Sequence, residues 1–123
     1  MSKNGGACKW YIPDGYYPEK STGEFVSHEA ICVLNPGKKD AIIDITLYFE
    51  DREKMDSFKA QCKAGRTNHI RMDKLKDKNG NGVPVGVPYA MMVESDTGII
   101  VQYSRMDTSA GMALMTTMAY PVE

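Results

Sequence analysis

The sequence is poor in the residues that staple, coordinate or anchor a chain. It has three cysteines among 123 residues, an odd number with no C-x-x-C pair, so neither a disulfide framework nor a cysteine zinc site is expected. It has no charged and then apolar leader. Its longest apolar runs fall well short of the roughly 20 residues that span a membrane as a helix. These features predict a soluble, cytoplasmic protein with reduced thiols.

The net charge is close to zero, and histidines are few. The 15 basic and 16 acidic residues leave a formal net charge of −1, whereas nucleic-acid-binding domains are usually basic, so no nucleic-acid partner is expected. The only two histidines, His28 and His69, stand far apart and lack ligand spacing. The segment "DKNGNG", 77–82, begins like a calcium loop, but Pro88 stands where the loop needs glutamate. We therefore expect an Asn-Gly turn there and no metal or cofactor.

Proline and glycine interrupt the chain at short intervals, as in "IPDGYYP", "NPGKKD" and "KNGNGVP", which is typical of short strands joined by turns. No repeat or linker divides the sequence, so residues 1–123 are expected to form one domain. Convincing helical periodicity over ten or more residues is absent. The chain thus predicts an all-β fold, an antiparallel, jelly-roll-like β-sandwich.

Individual strands are visible in the pattern of apolar residues. Segment 41–50, "AIIDITLYFE", alternates with a period of two, so one face should enter a core. Segment 25–35 becomes apolar on both faces from Ala30 to Leu34, which suggests a strand covered on both sides. "DSFKAQCKA", "YAMMVES" and 98–107 are separate further candidates. "ALMTTMAY" is ambiguous, because its methionines have near-helical spacing among poor helix formers.

The segment "GRTNHIR", 65–71, concentrates positive charge in a nearly neutral chain. As a strand it places His69 and Arg71 on one face and Arg66 on the other. Guanidinium groups bind carboxylate or phosphate through a planar fork, so an anion site is chemically reasonable. A solvated strand face with ion pairs at its rim is the other interpretation, and the pattern of this segment does not decide between them.

A series of segments resembles a known family: "WYIPDGYYP", "FVSHEAICVLN", "ITLYFED", "GRTNHIRMDKL", "VPYAMMVESD", "VQYSRMD" and "LMTTMAY", in this order from Trp10 to Tyr120. Together they resemble the prokaryotic sensory-rhodopsin transducer family. The resemblance implies a cytosolic β-sandwich that assembles as a homotetramer. It also implies a soluble transducer for a membrane receptor, or a module that binds a small, sugar-like molecule, and it does not imply an enzyme.

The polar residues of these family-like segments are the candidate ligand-binding residues. They are Trp10, His28, Glu29, Arg66, His69, Arg71, Gln102, Arg105 and Asp107. We expect Arg71 and His69 to point toward a pocket that Arg105 or His28 also reaches. Because guanidinium groups brought close together repel, a counter-charge is also expected, from Glu29, Asp107 or a bound anion.

The sequence leaves two functions in competition. The first is a non-enzymatic signalling or small-molecule-binding protein whose ligand is anionic or sugar-like, which matches the mixed polar side chains and the lack of a complete catalytic constellation. The second is a sugar-acid-processing enzyme, a lyase or isomerase, with His28 or His69 as acid or base and the arginines orienting the substrate.

Overall fold

The computed structural model describes residues 4–122, and within that range the chain is built of antiparallel strands. The strands are β1 (Ala7–Tyr16), β2 (His28–Asn35), β3 (Ala41–Phe49), β4 (Met55–Cys62), β5 (Arg66–Arg71), β6 (Pro88–Asp107), β7 (Ala113–Met118) and β8 (Tyr120–Val122), with a 3-10 turn at Met72–Lys74. The predicted all-β, antiparallel architecture is confirmed, and it is consistent with a β-sandwich.

One long strand, β6, connects the two sheets of the sandwich. Its first part pairs with β1 and β3, and its second part pairs with β2 and β7. Sheet A therefore has the order β4-β3-β6-β1-β8, and sheet B has the order β5-β2-β6-β7. The sequence suggested two separate strands here, "YAMMVES" and 98–107, whereas the structure makes them one strand of 20 residues that passes from sheet A to sheet B.

The core lies between the sheets and follows the period-two pattern of the strands. On β3, Ile43, Ile45 and Leu47 are fully buried, which confirms the alternation predicted for segment 41–50. On β2, Ile31 and Val33 face the same interior from sheet B. Each such side chain contributes roughly 1.5–3 kcal/mol when it is buried from water, so this face holds the two sheets together.

The second face of β2 is only partly covered within residues 4–122, where Ala30 is 8% exposed. Leu34 is 44% exposed, although the sequence suggested a strand buried on both sides. That expectation is wrong at Leu34, because the elements within residues 4–122 place no further layer of structure over this part of sheet B. We call this the outer face of sheet B, and it is formed by alternate residues of β5, β2, β6 and β7.

The structure decides the conformation of two segments, "ALMTTMAY" and "DKNGNG". "ALMTTMAY" is extended, with β7 pairing with β6 in sheet B and β8 pairing with β1 in sheet A. At "DKNGNG" the amides of Asn79 and Asn81 donate to Asp77 Oδ1 at 2.9 and 2.8 Å, and Gly80 adopts a positive φ of 82°. The segment is thus a glycine-containing turn, as expected, since Gly tolerates this backbone conformation.

Three features of residues 4–122 concern membranes, thiols and metals. None of their helices is long and apolar enough to cross a membrane. Cys8, Cys32 and Cys62 are free thiols. Their histidine, cysteine and acidic side chains form no group of three that could hold a metal ion.

Candidate functional site

The outer face of sheet B carries four of the candidate residues. The register of β5 with β2 sets Arg71 opposite Ala30 and His69 opposite Cys32, so both side chains share the outer face. His28 on β2 and Gln102 on β6 lie on this face as well. The prediction that Arg71 and His69 share one strand face is confirmed.

Arg71 has a carboxylate partner within the chain. Its Nε and Nη2 donate to the two carboxylate oxygens of Asp73 at 2.8 and 3.0 Å. The 3-10 turn after β5 brings Asp73 back to the guanidinium. The sequence pointed to Glu29 or Asp107 as the internal counter-charge, and for Arg71 that expectation is wrong because a neighbour two residues along supplies it. The attraction of Arg71 for an external anion is reduced accordingly.

The two histidines lie apart on the same face. His69 is exposed and opposite Cys32, which is four positions along β2 from His28. Four residues of strand span about 13 Å, so the two imidazoles cannot act on the same proton. His28 Nδ1 donates to the carbonyl of Val26 at 2.9 Å, because a carbonyl oxygen can only accept.

A groove of about 290 Å³ lies at the β2–β6–β7 end of sheet B. It is lined by His28, Ser104, Arg105, Met106, Leu114, Met115 and Thr116. The groove brings His28 and Arg105 together, but neither Arg71 nor His69 belongs to its wall. Gln102 does not line the groove but contacts one of its residues. Its Nε2 donates a hydrogen bond to Thr116 Oγ1 at 2.7 Å and so orients that hydroxyl.

Glu29 is a buried carboxylate with only 1% of its surface exposed. Its Oε2 accepts hydrogen bonds from the backbone amide of Tyr16 at 2.6 Å and from the hydroxyl of Tyr103, and its Oε1 accepts one from the hydroxyl of Tyr89 at 2.7 Å. Tyr16 on β1 and Tyr89 on the first part of β6 belong to sheet A, whereas Glu29 and Tyr103 lie in sheet B. The carboxylate therefore links the two sheets.

The surroundings of Glu29 keep both phenols protonated. Burial, and then the negative charge of Glu29, raise the pKa of Tyr89 and of Tyr103 far above the usual range. Gly15 lets the ring of Tyr89 take its place, because a Cβ added at Gly15 would lie 2.6 Å from Tyr89 Cζ. Glu29 is thus bound to protein donors, which favours a structural role for it.

Arg105 lies directly opposite Glu29 in the pairing of β2 with β6. Its guanidinium carbon is 5.8 Å from the centre of the Tyr103 ring, within the range of a cation–π contact. Its Nη2 is 3.6 Å from Asp14 Oδ2, and the Asp14 side chain is 73% exposed. Asp14 rather than Glu29 or Asp107 is therefore the ion-pair partner of Arg105.

Asp107 and Trp10 make local contacts. Asp107 Oδ1 accepts hydrogen bonds from the amide and the hydroxyl of Ser109, and the hydroxyl bond is the main cause of the lowered pKa of Asp107. Trp10 is 4% exposed, and its Nε1 donates to the carbonyls of Ala7 and Ile99 at 3.0 and 3.1 Å. The indole N–H of Trp10 is therefore satisfied within the protein, and Asp107 Oδ1 has its donors in the adjoining Ser109.

Arg66 lines a polar pocket of about 390 Å³ at the turn between β4 and β5, which we call the β4–β5 pocket. Its wall consists of Gln61, Cys62, Lys63, Arg66, Thr67 and Asn68. No acidic residue belongs to this wall, and among residues 4–122 no carboxylate lies within 4.0 Å of the Lys63 or Arg66 side-chain nitrogens. The pocket therefore combines two cations whose charge is not offset by an ion pair.

The polar side chains around the β4–β5 pocket are held by the backbone. Asn68 Nδ2 donates to the carbonyl of Gln61 at 2.7 Å, and Thr67 Oγ1 donates to the carbonyl of Val33 at 3.1 Å. Asp40 accepts from the amide of Ala64 at 2.8 Å and steadies the turn. Burial raises the pKa of the Cys62 thiol, so it remains protonated and packs as a small apolar group.

Several residues of these sites are not among the candidates that the sequence predicts. Lys63 and Asn68 belong to the charged segment around "GRTNHIR", but their convergence depends on the β4–β5 turn. Tyr89 lies on the apolar face of "VPYAMMVESD", and alternation predicts its burial without predicting Glu29 as its partner. Such partners come from other strands, so spacing along the chain does not reveal them.

Comparisons with known proteins agree with the fold. The family model described as "Anabaena sensory rhodopsin transducer" matches residues 5–121. The chain belongs to the Anabaena sensory rhodopsin transducer family. No curated protein matches the chain. The resemblance predicted from the ordered motifs is therefore confirmed over nearly the whole length.

Two solved structures support this membership of the transducer family. The crystal structure of Thermotoga maritima 1070 is 38% identical, with a TM-score of 0.86 and 97% of each chain covered. The Anabaena sensory rhodopsin transducer is 34% identical, with a TM-score of 0.74, and the match covers 87% of this chain and 92% of that one. Both similarities extend across most of each chain, so they concern the entire sandwich rather than one motif.

Proposed function

We propose that this transducer-family protein is a non-enzymatic, cytoplasmic signalling protein that binds a small anionic or sugar-like molecule in the β4–β5 pocket. The observation that carries the proposal is the pair Lys63 and Arg66, two cations in a polar pocket with no carboxylate in its wall. The other eight candidate residues lie outside the wall of this pocket, so Arg66 is the candidate with the strongest support for ligand contact.

An acidic sugar fits the chemistry of this pocket. Its carboxylate would accept paired N–H donors from the Arg66 guanidinium and a further charge-assisted bond from Lys63. Its hydroxyl groups would find partners in the amide and hydroxyl groups of Gln61, Asn68 and Thr67. A phosphate-bearing ligand would use the same two cations. The pocket volume of about 390 Å³ is in the range of small-molecule sites.

The prediction for this site concerns ligand-induced stabilisation. A panel of sugars, sugar acids and nucleotides should contain a compound that raises the melting temperature, because a ligand of the native state stabilises it. Arg66→Met should weaken the binding of that compound by about 1.5–3 kcal/mol, the scale of a hydrogen bond to a charged group. Differential scanning fluorimetry across a concentration series measures both effects.

The matched control is Arg52→Met. Arg52 is an exposed arginine whose guanidinium pairs with Asp51 and which lies outside the wall of the pocket. This variant should bind as the wild type does. Arg71→Met, which breaks the pair with Asp73, should likewise leave affinity close to the wild-type value. Equal affinity of Arg66→Met and wild type for the compound would contradict a ligand site at the β4–β5 pocket.

The absence of a histidine from the wall of the β4–β5 pocket supports binding without catalysis. General acid–base chemistry needs the proton donor or acceptor within about 3 Å of the reacting group or one water away. His28 lines the groove at the other end of β2 and His69 is not part of the pocket wall. The alternative, a lyase or isomerase that uses either histidine, predicts turnover of the compound identified by fluorimetry.

A membrane receptor is the proposed signalling partner. The Anabaena relative is, by its name, the transducer of a sensory rhodopsin. We carry to this chain the coarser proposal that it passes a signal by contact with a receptor protein. Ligand occupancy of the β4–β5 pocket would then alter that contact, and any coupling must act equally in both directions.

We also propose that the protein is a homo-oligomer, a tetramer. The exposed apolar residues on the outer face of sheet B, Leu34, Leu114 and Met118 among them, support this assembly. Static light scattering at micromolar concentration should give about four times the 13.7 kDa of one chain. A mass of a single chain under these conditions would remove the proposed assembly.

A further inference from the structure

A carboxylate stands beside the β4–β5 pocket without belonging to its wall. Asp40 directly precedes β3, and its Oδ1 accepts a hydrogen bond from the backbone amide of Ala64 at 2.8 Å. The nitrogen of that amide is bonded to the carbonyl carbon of Lys63, a residue of the wall. Burial in the first place, and the negative charge of Asp40 in addition, raise the pKa of the Cys62 thiol, another wall residue. The charge of Asp40 therefore reaches the pocket.

A buried amide fixes the loop that carries Asp40 to the end of β4. Asn35 is fully buried, and its Nδ2 donates to the carbonyl of Lys39 at 2.8 Å and to the carbonyl of Cys62 at 2.9 Å. One side chain thus ties the residue before Asp40 to a residue of the pocket wall. Asp40 consequently keeps a set position relative to the pocket, which any selection of ligands by its charge requires.

The charges at this turn add up to less than the two cations alone suggest. Lys63 and Arg66 lie on one turn, where the Arg66 amide donates to the carbonyl of Lys63 at 3.1 Å. Asp40 forms an ion pair with neither of them within residues 4–122, yet its charge subtracts from theirs. Two positive charges and one negative leave one positive charge in excess. That excess balances a single carboxylate.

A phosphate ester would meet a less favourable balance. It carries up to two negative charges near neutral pH, so one of them would lose water without a positive charge to offset it. Repulsion by Asp40 also grows in proportion to the charge of the ligand, and it costs a dianion twice what it costs a monoanion.

We propose that Asp40 is a specificity residue that makes the β4–β5 pocket favour singly charged carboxylates, such as sugar acids, over dianionic phosphate esters. The inference deepens the proposed function and rests on it, because an anion must bind at Lys63 and Arg66 before Asp40 can select among anions. Asp40 acts by repelling the competitor, and such a repulsive element is a common source of specificity. Since Asp40, Lys63 and Arg66 are exposed, solvent keeps the effect to a modest factor.

The test compares two probes with a similar sugar portion, glucuronate and glucose 6-phosphate. Isothermal titration calorimetry is done at about pH 8, where the phosphate is a dianion, and at about 20 mM ionic strength, where screening is weak. The wild type should bind glucuronate more tightly than glucose 6-phosphate. Tighter binding of the phosphate by the wild type would overturn the selection.

Asp40→Asn removes the charge and keeps an Oδ1 that can accept from the Ala64 amide, so the turn is retained. It should raise the affinity for glucose 6-phosphate about tenfold and that for glucuronate about threefold, because the lost repulsion scales with ligand charge. Asp40→Glu keeps the charge and should keep the wild-type ratio of affinities. In about 0.5 M salt the ratios of Asp40→Asn and wild type should converge, since salt screens exposed charges.

The matched control is Asp77→Asn. Asp77 also accepts from backbone amides in a turn, those of Asn79 and Asn81, and it lies outside the wall of the pocket. This variant loses the same charge and should keep the wild-type ratio. A ratio that moves as far in Asp77→Asn as in Asp40→Asn would mean that net charge, and not the position of Asp40, governs selection.

The outcomes separate this inference from the function on which it rests. If Arg66→Met weakens both probes while Asp40→Asn leaves their ratio unchanged, the pocket stands and the selection by Asp40 is overturned. If neither probe binds the wild type, the anion site and the selection are both overturned. Melting temperatures establish that the variants are folded, and Asp40→Ser supplies the uncharged comparison if Asp40→Asn does not fold.

Discussion

Replacing Glu29 by leucine should lower the free energy of unfolding by about 3–5 kcal/mol, because it leaves buried donors without an acceptor. The carboxylate accepts hydrogen bonds from the hydroxyls of Tyr89 and Tyr103 and from the amide of Tyr16. Each buried donor left unsatisfied costs about 1–3 kcal/mol. Urea denaturation followed by tryptophan fluorescence measures the change.

Two further variants distinguish the loss of the Glu29 hydrogen bonds from the loss of a negative charge. Glu50→Leu, which removes an exposed carboxylate, should change stability by no more than about 0.5 kcal/mol. The triple variant Glu29→Leu/Tyr89→Phe/Tyr103→Phe should recover part of the loss, since it removes two of the stranded donors. A loss below about 1 kcal/mol for Glu29→Leu, or no recovery in the triple variant, would contradict the link between the sheets.

The second large effect is expected at Trp10. Trp10→Ala should destabilise the protein by about 3–5 kcal/mol, the range for truncating a large aromatic side chain in a core. The side chain is 4% exposed, and its Nε1 donates to the carbonyls of Ala7 and Ile99. Thermal unfolding followed by circular dichroism is the suitable measurement, since the variant loses the single tryptophan of the chain.

Trp10→Phe is the control that separates packing from ligand contact. It keeps an aromatic ring in the core and loses the two hydrogen bonds, so it should cost about 1–3 kcal/mol. Ligand-induced stabilisation should persist in this variant, because Trp10 lies outside the wall of the β4–β5 pocket. If Trp10→Phe kept full stability but lost the response to ligand, Trp10 would be a binding residue and the packing explanation would fail.

Local patterns in the sequence determined much of the architecture. The alternation in 41–50 predicts a strand with one buried face, and β3 buries that face. The turn at Asp77–Gly80 follows from Asn-Gly chemistry, because Gly adopts the positive φ at little cost. The ordered motifs from Trp10 to Tyr120 were sufficient for the family. Each of these signals depends on neighbouring residues or on their order along the chain, so a sequence contains it directly.

The tertiary structure alone decided how the polar residues are grouped. In the sequence, "GRTNHIR" is one cluster of positive charge. In the folded chain Arg71 forms an ion pair with Asp73, whereas Arg66 lies beside Lys63 in a polar pocket. Glu29 reads as a ligand-binding candidate, yet it is buried among donors from other strands.

These outcomes depend on strand register and on the passage of β6 from one sheet to the other. Register is set by how all the strands fill a common core, and a shift of one residue would turn each side chain to the opposite face. Composition and spacing therefore determine which residues can form strands. Only the packed sheets determine which polar groups meet.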